Sequence, residues 1–416
     1  MAIEQLVVAF ILLLSACLLS APVARWTHLP HTALLVLIGF AGSELVLLAG
    51  YDTGLRADNF QDLVLFVFLP ILIFEAAFAI DAKQLIKHLV PILSLAIIGV
   101  LLTTIVIGTA LYYAIGHPTG FPWHSALIAG VLLAATDPVA VVSQLKSLGA
   151  PARLGIMLEG ESLFNDATAI VLFSVFVMLA TSSNESLSFG SALYEFGRVF
   201  IGGCIVGGLL GLVGAWLFQR LKQFATRAQL TLLLAYASFA LAEMLFHVSG
   251  VMAVLLCGLL VGNLSNLGNQ TKTVSQVEEY KQLHQLWDLC GQLANGLLFL
   301  LMGVTITLNM FSERYLAILI GICAIIIARA ISIPTSLGLA RVMRGPVIPF
   351  TEQKVMHWGG LRGAITLVLA LSLPTDIEGW WTIQSIGYGV VLFTLLIQAP
   401  SMPWILRRLG LSQNKH

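Results

Sequence analysis

The sequence predicts an all-α, polytopic membrane protein of thirteen transmembrane helices, built as two inverted six-helix repeats in which helices 5 and 12 are partly unwound and cross. Three observations predict it. Hydrophobic residues make up 58% of the 416 and charged residues only 10%, where a soluble domain averages about 25% charged. Apolar runs of about 20 residues, the length that crosses a bilayer, recur along the whole chain, separated by loops rich in Gly, Pro and charge. The fifth and twelfth runs are each interrupted, by LAATDPVAVV and by HWGGLRGAITLVLAL.

The runs lie at 5–21, 31–49, 60–80, 89–115, 125–145, 155–181, 194–218, 228–246, 249–265, 283–310, 315–340, 355–373 and 382–406. The opening MAIEQ has no basic n-region and no small-residue cleavage site follows it, so the first run is expected to stay in the protein. Basic residues test the count, because they concentrate in cytoplasmic loops. Odd-numbered connections and the C-terminus carry 16 of them, from Arg25 to Lys415, and even-numbered connections carry three, Arg56, Arg198 and Arg314. This places the N-terminus outside and the C-terminus in the cytoplasm, in a plasma (inner) membrane. The remaining two, Arg329 and Arg362, fall inside spans and need partners.

An odd number of spans is explained if the seventh is a linker. Residues 1–182 then form the first repeat, 183–227 the linker region and 228–416 the inverted second repeat. Such inverted repeats bind substrate where corresponding helices break. Thr136, Asp137 and Pro138 interrupt the fifth span and Gly359, Gly360, Arg362 and Gly363 the twelfth. Proline removes a donor and clashes with the preceding turn. The two breaks are therefore expected to meet at the midplane.

An ionised side chain at a helix centre costs about 2.5–3.5 kcal/mol on insertion scales, so intramembrane charge marks function by default. In the sixth span, GESLFND places Ser162 and Asp166 on one face and Glu161 and Asn165 on the next. Asp137 and a freed carbonyl near Thr136 join from the fifth span, Glu75 from the third and Arg362 from the twelfth. These are hard oxygen ligands, suited to an alkali cation. Water no longer stabilises the charged form of a carboxylate buried this way, so it can hold a proton or a metal ion, but not both. Asp166 is the expected exchange carboxylate and Glu161 the expected partner of Arg362. Asp137 is expected to offset the positive ends of the half-helices, and Arg329 to neutralise carboxylates or anchor the eleventh span.

GESLFND, the TDP break before it, IARAIS at 327–332 and GGLRGAI at 359–365 together resemble the cation/proton antiporter family, which includes NhaP-type sodium/proton antiporters and animal sodium/proton exchangers. The resemblance covers most of the chain, in order. It implies an NhaA/NhaP-like antiporter fold and a homodimer, with a mobile core domain of helices 4–6 and 11–13 and a dimerisation domain from the others. It implies ion contacts from Asp166, Ser162, the Thr136 carbonyl and Glu75, support from Asn165, a Glu161–Arg362 ion pair and an acid at the crossing, Asp137. Asparagine before the essential aspartate implies one-for-one, electroneutral exchange. About eight residues follow the last span, so the long regulatory tail of the animal exchangers is expected to be absent.

The expected activity is exchange of sodium or lithium for protons, in the service of pH homeostasis, with no cofactor and no nucleic-acid partner. Potassium/proton exchange is the second reading. A cation channel would conduct without proton counterflow. An intramembrane enzyme with an Asp137–Asp166 dyad is disfavoured, because an arginine, a serine and another glutamate crowd the same place. Glu243 is expected either to help cations approach or to bond a neighbouring helix. Gly203, Gly207 and Gly211 mark a close helix contact, within a subunit or between subunits. The five cysteines, scattered singly, read as core residues. The histidines, among them His88, His117, His124 and His357, read as solvated or interfacial. The polar stretch NLGNQTKTVSQVEEYKQ reads as a solvated connection.

Overall fold

A backbone surrounded by lipid must satisfy its hydrogen bonds internally, and the chain does so with helices. The computed structural model describes residues 11, 14–20, 22–23, 30–48, 64–115, 121–181, 189–267 and 274–411. Most of the first predicted span, together with Arg25, Arg56, His117, Lys272 and Lys415, lies outside the described residues.

The helices are α1 (His31–Leu48), α2 (Leu69–Ala79), α3 (Ala82–Lys87), α4 (Leu89–Leu93), α5 (Val100–Ala114), α6 (Trp123–Leu132), α7 (Val139–Ser147), α8 (Ala152–Thr181) and α9 (Phe189–Arg220). They continue with α10 (Phe224–Ala240), α11 (Gly250–Leu267), α12 (Val274–Thr305), α13 (Leu308–Val342), α14 (Phe350–Trp358), α15 (Ala364–Leu371), α16 (Trp380–Phe393) and α17 (Ala399–Arg408). Wider π-helical turns, at Ser94–Gly99 between α4 and α5 and at Thr394–Gln398 between α16 and α17, let these pairs run on as single rods. Among the described residues, seven helices are long and apolar enough to cross a membrane, and four shorter apolar helices accompany them.

The closest packing falls into two sets. In one, α9 lies on α11, α11 on α2, and α12 on α1; in the other, α5 lies on α6 and α13, and α13 on α16. The glycine stripe works within the chain: a Cβ on Gly207 would sit 2.2 Å from the Ala253 carbonyl oxygen, so α9 and α11 touch backbone to backbone. α2 is fixed on α12 by aromatic contacts, Phe74 on Trp287 at 4.5 Å and Phe78 on His284 at 4.8 Å. In the second set, Ser94 Oγ donates to the Ser336 carbonyl at 2.7 Å and Thr103 Oγ1 to Ser332 Oγ at 3.1 Å, tying the α4–α5 rod to α13.

The polar stretch before the tenth span is not all loop. From Val274 it forms the first turns of α12, where Glu279 accepts from Arg227 at 2.8 Å and the Tyr280 hydroxyl donates to the Gly262 carbonyl. An ion pair to α10 and a hydroxyl bond to α11 hold these polar turns against neighbouring helices.

Candidate functional site

The site starts from two missing turns of helix. α6 stops at Leu132 and α7 starts at Val139; α14 stops at Trp358 and α15 starts at Ala364. Breaking a helix orphans backbone donors and acceptors, and a buried orphan is costly. Here the breaks satisfy each other, since the Asp137 N–H donates to the Leu361 carbonyl at 2.8 Å.

Asp137 also accepts the Val139 N–H on Oδ1 at 3.1 Å, capping α7. Its other oxygen faces the start of α15, so closely that a Cβ on Gly363 would lie 2.0 Å from Oδ2. Only glycine admits this approach. One carboxylate thus stands at the positive N-terminal ends of two half-helices.

The opposite end of the second break carries the positive charge. Arg329, on the uninterrupted α13, donates Nη2 to the Met356 carbonyl in the last turn of α14 at 2.7 Å and Nη1 to Glu161 Oε1 at 3.1 Å. Glu161 and Arg329 are 3% and 6% exposed. This corrects the expected Glu161–Arg362 pair. Arg362, wholly buried, folds its Nη1 back onto the Gly360 carbonyl at 2.8 Å, while its N–H donates to Thr394 Oγ1 at 3.2 Å. A side chain inside the unwound segment here serves one carbonyl freed beside it, that of Gly360. Arg329 reaches in from a neighbouring helix and meets both Glu161 and the end of α14.

α8 holds the first break. Asn165 spends both amide protons on it, donating Nδ2 to the Ala134 carbonyl at 3.0 Å and to Thr136 Oγ1 at 3.2 Å. Ser162 Oγ donates to the Thr136 carbonyl at 2.5 Å and lies 3.4 Å from Asp166 Oδ2. Asp166 Oδ1 is buried and has no hydrogen-bond partner among the described residues. A carboxylate, a hydroxyl and a backbone carbonyl are therefore gathered at one point, all hard oxygen donors. Among the described residues no three His, Cys, Asp or Glu side chains close on a common centre as a transition-metal site would require.

These groups face a cavity of about 280 Å³, lined by Glu75, Thr136, Asp137, Ser162, Asp166 and Asn295 among others. Glu75 enters from α2 with its carboxyl packed on Gly291 of α12, where an added Cβ would stand 3.0 Å from Cδ. Asn295, also on α12, is not among the residues the sequence singled out. Its signal was an amide inside the apolar run LANGLLFLL. Glu243 lies elsewhere and accepts the Gly250 N–H at 2.9 Å, closing the turn that joins α10 to α11.

The motifs on this framework have known counterparts. A family described as "Sodium/hydrogen exchanger, transmembrane" matches residues 10–408. The chain belongs to the sodium/hydrogen exchanger family. Among relatives in this family, it is 36% identical over 411 residues to the Na(+)/H(+) antiporter ApNhaP of Aphanothece halophytica, covering 98% of this chain and 75% of that one. It is 29% identical over 412 residues to the Na(+)/H(+) antiporter NhaH of Halobacillus dabanensis, covering 97% and 98%. The solved structure of the sodium proton antiporter MjNhaP1 from Methanocaldococcus jannaschii at pH 8 superposes with a TM-score of 0.75 at 21% identity, over 97% of this chain and 99% of that one. The all-helical antiporter fold is shared with that exchanger.

Proposed function

We propose that this chain exchanges sodium or lithium for protons across a plasma (inner) membrane, one for one, by competition of the two ions for Asp166. The observation that carries the reading is the convergence on Asp166 of Ser162 Oγ and the Thr136 carbonyl, at a cavity that Glu75 and Asp137 also line. The relatives' names, all Na(+)/H(+) antiporters, support the same pair of ions. Sodium enters where Asp166 has lost its proton, and the loaded forms alone cross. Arg329, Glu161, Arg362, Asp137 and Asn165 hold the two breaks in shape around it.

The thirteen-span count, the inverted repeats and the outside placement of the N-terminus belong to the same proposal. So does the division into a core of helices 4–6 and 11–13 and a dimerisation domain of the rest. Support for the division comes from packing: α4 to α8 and α13 to α17 surround the breaks, while α1, α2 and α9 to α12 pack mainly on each other. Elevator-like motion of the first set against the second would carry Asp166 from one face to the other in each protomer of a homodimer. Potassium/proton exchange at the same carboxylate is the second reading.

The experiment is reconstitution of the purified chain into liposomes, with sodium, lithium and potassium gradients imposed in turn while internal pH is followed. Exchange predicts proton movement opposite to sodium, abolished by Asp166→Asn. Undiminished exchange by that variant refutes the role of Asp166, and cation conductance without proton counterflow refutes exchange.

A further inference from the structure

Asp166 and its neighbours occupy the inner part of the cavity, and one charged pair stands at its mouth. Lys146 Nζ lies 3.1 Å from Glu159 Oε1, the side chains being 73% and 37% exposed, and both line the same cavity as Asp166. The register of α8 makes the connection. Glu159, Ser162 and Asp166 stand three and four residues apart, one stripe of a helix. Glu159 is therefore about 10 Å further out along the stripe that carries the ion site. Lys146 comes from the last turn of α7, where the helix dipole favours a cation.

We infer that Lys146 and Glu159 are the residues that set apparent sodium affinity at the cavity mouth: Glu159 draws the cation in, and the Lys146 ammonium competes with it for that carboxylate. This rests on the cation exchange proposed above. An ammonium tethered beside a carboxylate occupies the position an arriving alkali ion would take. An exposed ion pair is weak, so the carboxylate is released at little cost. Both residues ride on the helices that hold the breaks, α7 and α8, so the pair keeps its relation to Asp166 if that set moves as a body. A unit charge about 10 Å from a cation changes its local concentration about 2-fold at the dielectric constant of water and about 16-fold at an effective value of 20. At a half-exposed mouth the effect should fall toward the lower end.

The test is sodium-driven proton flux of the full chain in liposomes, comparing Glu159→Gln, Lys146→Gln and the double variant. The expected result is a KM for sodium raised about 3-fold by Glu159→Gln and lowered about 3-fold by Lys146→Gln, with kcat within about 2-fold of the parent. The effects should shrink when choline chloride shortens the screening length from about 30 Å at 0.01 M to about 8 Å at 0.15 M. In the double variant both charges are gone and the mouth is neutral again, as in the parent pair, so KM should return to within about 2-fold of the parent value. An unchanged KM in both single variants overturns the inference while leaving exchange intact. So does a fall in kcat and melting temperature at constant KM, which would mark a purely structural pair. If the parent itself moves no protons against sodium, the exchange reading fails instead.

Discussion

Removing Glu161 should strand a buried arginine. Glu161 is 3% exposed and its Oε1 receives Arg329 Nη1 at 3.1 Å, while the Arg329 Nε already has no partner among the described residues. In Glu161→Ala the guanidinium keeps only the Met356 carbonyl. Deleting one member of a buried pair costs about 3–5 kcal/mol, because the other charge is left uncompensated. Unfolding entropy of about 2.1 cal/mol/K per residue, taken over 416 residues, converts each kcal/mol to about 1 °C. Glu161→Ala should therefore melt about 3–5 °C below the parent when heated in detergent and followed by size-exclusion chromatography. Arg329→Ala should do the same, and the double variant should lose much less than the sum, as contacting residues do in double-mutant cycles. Glu161→Ala with Arg362→Ala should couple more weakly, since Arg362 makes no hydrogen bond to Glu161. An unshifted melting temperature in Glu161→Ala, or coupling to Arg362 in place of Arg329, refutes the reasoning.

Gly363→Ala would drive a methyl group to 2.0 Å from Asp137 Oδ2, so the crossing must open; the variant should be made in lower yield and lose exchange, measured in liposomes against the parent. Ser162→Ala removes the hydroxyl that lies between the Thr136 carbonyl and Asp166; the KM for sodium should rise about 10-fold, the worth of one hydrogen bond of about 1.5 kcal/mol. Asn165→Asp replaces an amide that donates twice to the unwound segment with a group that only accepts; the melting temperature should fall, and an unchanged value would show that the break is held by other contacts. Gly207→Leu should separate α9 from α11, where even a Cβ would meet Ala253 at 2.2 Å, and the thermal melt reports it.

Much of this arrangement was legible in the residues themselves. Long apolar runs announce helices in lipid because no other open element can satisfy its backbone there. The two breaks were legible because Pro138 and the glycines at 359, 360 and 363 cannot continue a helix cheaply. The neighbourhood of Ser162, Asn165 and Asp166 followed from helical spacing alone. Which arginine meets Glu161 did not, since that depends on where α13 crosses α8, and both Arg329 and Arg362 lie in apolar surroundings. Asn295 and the Lys146–Glu159 pair were not legible for a related reason: they share a cavity with Asp166 only because segments far apart in the chain come together. The π-helical turns leave no trace in hydropathy, because a wider turn keeps the same apolar composition.

In the exchange proposed here, one carboxylate, Asp166, holds a proton or a sodium ion but never both. That exclusion is tested most directly by titrating purified protein with sodium chloride in a calorimeter, in two buffers of different protonation enthalpy. The heat should depend on the buffer, corresponding to about one proton released per sodium bound near neutral pH, and that dependence should disappear in Asp166→Asn. Sodium binding with the same heat in both buffers would contradict it.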